Sequence, residues 1–163
     1  MTTPDRGRTV RAARRQPAGV RTLGMPLVDL DAIPQVPLDF INQDHREEAR
    51  LLNALADALE ELRAGRGGAE PVMACFEALF QHTREHFGRE DDAMRRSGFP
   101  PFPVHHGEHE RVLAELAAEG GHFGETGDAA RLHAYVTKAV PAWFQNHIQT
   151  MDLMTARYVA SKG

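Results

Sequence analysis

EHFGREDDAM, residues 85–94, continues an apolar helical rhythm with Phe87 and Met94, yet it sets His86 and Glu90 four residues apart. Residues at i and i+4 share one face of a helix, so an imidazole and a carboxylate enter the bundle together. Burying a carboxylate without a compensating charge is costly, so this face calls for a cationic partner. The same face runs back through Phe76, Leu79, Phe80 and Thr83, which predicts a helix over about 71–96. Pro71 suits its first turn, and Ser97, Gly98 and the prolines at 100, 101 and 103 stop it.

The flanking segments carry the same period. Ile41, Leu52, Leu55, Leu59 and Leu62 predict a helix over 39–63 with His45 on its inner face, closed by AGRGG at 64–68. His105, His109, Val112, Leu113 and Leu116 predict a third helix over 103–118, followed by a loop, EGGHFGETG, at 119–127. A fourth runs over 128–160, with a kink expected at Pro141 because the ring removes a donor and clashes with the preceding turn. No strand pattern is present. The expected architecture is all-α, an antiparallel up-down four-helix bundle over 36–163, with an extended N-terminal arm.

Every helix then offers ligand-type residues to one interior: His45, His86 with Glu90, His105 with His109, and His147 with Asp152. His147 and Asp152 are five apart, about 140° around an ideal helix, so they reach a common point from different heights or through a local distortion. Five imidazoles and two carboxylates exceed a tetrahedral zinc site; two octahedral ions bridged by the carboxylates use all seven, and iron fits this set best. His-Glu-x-x-His is absent, and the only Glu-x-x-His string, Glu119 to His122, lies on a double glycine. His82, His106, His122 and His133 fall outside the pattern and are expected at the surface or behind the ligands.

Composition excludes other classes. No apolar run approaches the roughly 18 residues of a membrane span. Cys75 is the only cysteine, which excludes an internal disulfide and a cysteine zinc knuckle, predicts a small core residue, and fits a cytoplasmic location. Residues 1–24 carry a net +5 and the remainder −9. That basic segment has neither interleaved aromatics nor an apolar period, so residues 1–35 read as a disordered extension leading into a proline-bearing arm, without a nucleic-acid partner. No signal-peptide core follows its arginines, and Met25 is a candidate start.

HREEARLLNAL (45–55), HFGREDDAM (86–94), HHGEH (105–109) and WFQNHIQTMD (143–152) together resemble the hemerythrin family, in particular its bacterial single-domain members, over residues 36–160. The order H, HxxxE, HxxxH, HxxxxD is matched in full. The resemblance implies an oxo-bridged centre of two iron ions, with His105, His109 and His147 on one, His45 and His86 on the other, and Glu90 and Asp152 bridging. It implies a pocket lined by Phe87, Trp143 and Ile148 that takes dioxygen or another small diatomic ligand at the iron left one ligand short. Neutral imidazoles favour the ferrous state and reversible binding. Storage, delivery to an acceptor protein, or sensing follows, rather than catalysis; the alternatives are a di-iron enzyme acting on peroxide, nitric oxide or dioxygen, and an iron or redox sensor.

One position departs from the pattern. Relatives usually carry Leu or Ile three residues after the first histidine, where this chain has Glu48. It is either a rim charge paired with solvent, Arg46 or Arg50, or an inward carboxylate that reaches the open iron or passes protons to its ligand.

Overall fold

The computed structural model describes residues 25–163; the expectations made for residues 1–24 lie outside it. Three helices, α1 (Asp39–Arg63), α2 (Ala69–Ser97) and α3 (Phe102–Thr126), are followed by a fourth over residues 129–160. They form the expected antiparallel bundle, α1 against α2, α2 against α3, and the fourth helix against all three. The described residues contain no strand.

Glycine ends three of the connections by a left-handed residue: Gly65 (φ 72°) after α1, Gly98 (φ 67°) after α2 and Gly127 (φ 69°) after α3. At the α2 end, Gly98 N–H donates to Arg95 O (3.2 Å) and Phe99 N–H to Met94 O (3.0 Å), satisfying carbonyls the helix leaves open. Asp128 caps the fourth helix by accepting from Arg131 N (3.0 Å).

Two boundaries differ from the sequence expectation. α2 starts two residues before Pro71, which still lies in the first turn where no backbone donor is needed. α3 continues eight residues past 118, so Gly120 and Gly121 are helical and the loop shrinks to Gly127–Asp128. The reason is a contact with α2: a Cβ on Gly120 would stand 2.2 Å from Phe76 Cε1, so the missing side chain lets the two helices close. Phe123, one turn on, is buried in the same apolar cluster.

The fourth helix accommodates its two irregular demands with π-helical turns. Tyr135–Ala139 widens immediately before Pro141, which cannot supply a backbone donor and whose ring crowds the preceding turn. Ile148–Asp152 is the second π-helical turn and lies within the polar cluster.

The larger apolar core, built on Leu52, Leu55, Leu59, Phe76, Val112 and Phe123, fills the half of the bundle nearest the α1–α2 turn. Cys75 is partly buried against it. A smaller core joins Ile33 and Val36 of the arm to Ile41, Phe144 and Ile148. Two asparagines hold that arm as a paired strand would: Asn53 accepts from Val28 N (2.8 Å) and donates to Val28 O (2.9 Å), and Asn42 does the same for Val36 (2.9 and 2.8 Å). No helix among the described residues is long and apolar enough to cross a membrane.

Candidate metal centre

All seven residues singled out by the pattern are buried and converge. Glu90, His105, His109, His147 and Asp152 each offer a ligand atom within 4.8 Å of the others, and His45, His86 and Glu90 form a second such group sharing Glu90. The carboxylates divide their oxygens between the two groups. Glu90 Oε1 lies 3.0 Å from His86 Nε2, while Oε2 lies 3.4 Å from His109 Nε2 and 3.7 Å from His105 Nε2. Asp152 Oδ2 lies 3.1 Å from His45 Nε2, while Oδ1 lies 3.1 Å from His147 Nε2 and 3.2 Å from His105 Nε2. His105 and His147 present their Nε2 atoms to each other at 3.0 Å.

These separations have a geometric meaning. Neighbouring ligands on an octahedral ion with bonds of about 2.1 Å stand about 3.0 Å apart, the bond length times √2. Most of the distances above match that edge. Glu90 Oε2, His109 Nε2, Asp152 Oδ1 and His45 Nδ1 are buried without a hydrogen-bond partner. Buried polar atoms are rarely left so, and the first three lie against other ligand atoms rather than against donors, which is the signature of a metal site.

The groups behind the ligands orient them. His105 Nδ1–H donates to Thr155 Oγ1 (2.8 Å), whose own hydroxyl donates to Met94 Sδ (3.7 Å). His109 Nδ1–H donates to Asp91 Oδ1 (3.1 Å), and Asp91 Oδ2 takes His106 Nδ1 at 2.7 Å. His86 Nδ1–H donates to Glu48 Oε2 at 2.6 Å. In each case Nδ1 is turned outward to its acceptor, so the inward-facing Nε2 is the nitrogen that an ion would meet. Sequence reading missed Asp91 and Thr155 in these roles. Thr155 had a signal, since it lies three residues beyond Asp152 on the same helix face.

The electrostatics of the cluster favour a positive charge at its centre. Burial opposes ionisation of Glu90 and Asp152 repels it, yet His86 and His109 outweigh both and pull it down to about 2. Asp152 is likewise opposed by burial but held well below its ordinary range by His105, His147 and His45. Burial disfavours a charged His86, but Glu90 and Glu48 override it and raise the imidazole well above its ordinary value. Two carboxylates thus stay ionised in the interior, with protons on imidazoles where a cation would serve.

Phe87 stacks on His109 (centroids 3.9 Å, 5° between planes), and Trp143 stacks on His147 (4.6 Å, 26°) while donating Nε1–H to Glu108 (2.8 Å). Ile148 is buried beside Phe144, whose ring meets His45 edge-on at 5.6 Å. Glu48 is the surprise. It is not a rim charge: Arg50 pairs with Glu47 (3.2 Å), and Arg46 reaches Leu30 O (3.3 Å). Nor is its hydrogen bond directed at the ligand atoms; it holds the outer nitrogen of His86. His82, His106, His122 and His133 are all half-buried outside the two groups; His82 meets Asp44 O at 3.0 Å and joins Glu48 and His86 in a third grouping that shares His86 with the second.

Fold and site together define a four-helix-bundle protein with a non-haem histidine–carboxylate metal site. The sequence model of the hemerythrin HHE cation binding domain matches residues 36–158, and the chain belongs to the hemerythrin family. It is 34% identical over 120 residues to a bacteriohemerythrin of Ralstonia nicotianae, covering 74% of this chain and 80% of the relative. A bacteriohemerythrin of Methylococcus capsulatus is 26% identical over 115 residues, covering 69% and 81%. A crystal structure of a hemerythrin point mutant superposes with a TM-score of 0.71 at 23% identity, covering 83% of this chain and 98% of the other, which supports the fold.

Proposed function

We propose that the protein holds two iron ions and binds dioxygen, or another small diatomic molecule, reversibly. In this reading His105, His109 and His147 hold one ion, His45 and His86 the other, and Glu90 and Asp152 span both. The observation that carries it is the division of each carboxylate, one oxygen toward each histidine group. A single-ion site has no use for that division. The groups differ by one imidazole, so the ion beside His45 and His86 has room for an exogenous ligand.

Iron supplies the redox electrons that dioxygen binding draws on, and imidazole-rich ligation favours its reduced state. The chain orients the imidazoles through Thr155, Asp91 and Glu48 and keeps water away with Phe87, Trp143, Phe144 and Ile148. In the same reading the protein works in the cytoplasm, storing dioxygen, sensing it or passing it to an acceptor protein. Metal analysis should give two irons per chain, and the optical spectrum of the reduced protein should change in air and revert on deoxygenation. One zinc per chain, or an irreversible change, would overturn the reading.

A further inference from the structure

A cavity beside the metal centre lies against Leu52, Leu79, Val112, Leu116 and Val140, and shares Trp143 and Phe144 with the centre's surroundings. Its volume is about 40 Å³. One water needs roughly 10–15 Å³, so there is space for about three water-sized atoms. An apolar cavity of this size ordinarily stays dry or takes an apolar gas. This one also has Thr83, Arg111, Glu115 and Tyr135 in its wall, together with Glu48, which is 5% exposed.

Glu48 Oε2 is taken by His86 Nδ1–H, whereas Oε1 receives no hydrogen bond from any described residue. A carboxylate has acceptor sites for about four donors, and Oε1, unlike the four sealed atoms of the centre, is open to a water-sized molecule. The wall's other polar groups, Tyr135 and Glu115 among them, pair with one another or with their neighbours. Thr83 Oγ1–H donates to Leu79 O (2.9 Å), Arg111 is bound to Glu115 (2.7 Å) and Glu108, and Trp143 donates to Glu108. Whatever occupies the cavity must therefore bring its own donor. Dioxygen and nitric oxide bring none, and a small anion meets two carboxylates, Glu48 and Glu115, against the single guanidinium of Arg111.

The geometry points to a binding site in this cavity for a small uncharged hydroxylic molecule, of the size of hydrogen peroxide, with Glu48 Oε1 as its acceptor. Two heavy atoms fit the space, and an O–H donated to a carboxylate is the stronger, charge-assisted kind of hydrogen bond. This deepens the functional reading above and rests on it only for what the molecule meets beyond the cavity. It assigns the chamber next to the centre a preference for protic ligands, which an apolar residue at position 48 would not provide.

The probe is methanol, a redox-silent donor of two heavy atoms, set against xenon, which has no donor. Crystals of the iron-loaded, oxidised protein are soaked in graded methanol or pressurised with xenon, for the wild type, Glu48→Leu and Glu48→Gln. The expected result is methanol oxygen about 3 Å from Glu48 Oε1. Half-saturation should need about tenfold more methanol in Glu48→Leu, with Glu48→Gln between the two. Xenon should enter Glu48→Leu and be largely excluded from the wild type. Equal methanol occupancy in all three, xenon filling the wild type, or water that methanol does not displace would each overturn the proposal. Should Glu48→Leu fail to fold, Glu48→Gln against the wild type decides. Iron content of the same crystals reports on the di-iron reading separately.

Discussion

Asp152 lies five residues beyond His147, yet its Oδ1 stands 3.1 Å from His147 Nε2. An α-helix would carry the two about 140° apart; the π-helical turn Ile148–Asp152 inserts the extra residue and brings them to one side. Asp152 thereby also reaches His45 and His105, so one side chain ties both histidine groups together. If the centre holds two ions as proposed, Asp152→Asn, which keeps the shape and removes the charge, should lower metal content to below one per chain. His45→Ala, which touches one group, should keep about one. Metal analysis of the two purified variants tests this, and equal losses would argue against a shared carboxylate.

Gly120 and Gly121 are neighbours in one helix with opposite expectations. A Cβ at 120 would stand 2.2 Å from the Phe76 ring, while at 121 it would meet nothing within 4 Å. Gly120→Ala should destabilise by about 1–3 kcal/mol through overpacking, and Gly121→Ala should stabilise by up to about 1 kcal/mol through helix propensity. Denaturant melts of both variants decide, and Phe76→Leu should relieve much of the Gly120→Ala penalty.

These two glycines also show where the sequence stops being legible. The four helices and the seven converging side chains follow from the 3.6-residue period and i, i+4 spacing, both local properties of the chain. α3 beyond residue 118 does not, because a double glycine is a loop signal in isolation; its helical state depends on Phe76, distant in sequence, needing the space. Asp91 reads as one more charge in REDD until α3 brings His106 and His109 to it. For Glu48, helical geometry gives the inward face but not which nitrogen of which histidine it meets, since that depends on the packing of α1 against α2.

Asn53 holds the arm by two hydrogen bonds to the backbone of Val28, 2.8 and 2.9 Å long. Asn53→Ala removes both and should cost about 1–2 kcal/mol. The effect should appear first as local opening: faster amide exchange and earlier proteolytic cleavage within residues 25–37, with α2 and α3 unchanged. Unchanged exchange in the arm would show that Ile33 and Val36 hold it without Asn53.

The pH dependence of the metal-free protein follows from the buried cluster. His86 is raised well above its ordinary 6.5 and His109 is raised as well, burial in both cases being outweighed by nearby carboxylates. A raised imidazole contributes stability that is complete below about 6.5 and is lost as pH climbs through its folded value. Glu90, depressed to about 2, and Asp152, held well below its ordinary range, contribute stability that is complete above about 4.5 and lost on acidification. Both contributions coincide between about pH 4.5 and 6.5, so the metal-free protein should melt highest there and lose stability above neutrality. A cation at the centre takes over the role of those protons, so the loaded protein should lack most of the alkaline decline, and metal uptake at pH 7 should release protons. Thermal melts from pH 4 to 9 with and without metal, and calorimetric titration in two buffers of different ionisation heat, measure these effects. A metal-free protein equally stable at pH 6 and 9, with metal uptake independent of buffer, would show that His86 and His109 are neutral before any ion arrives.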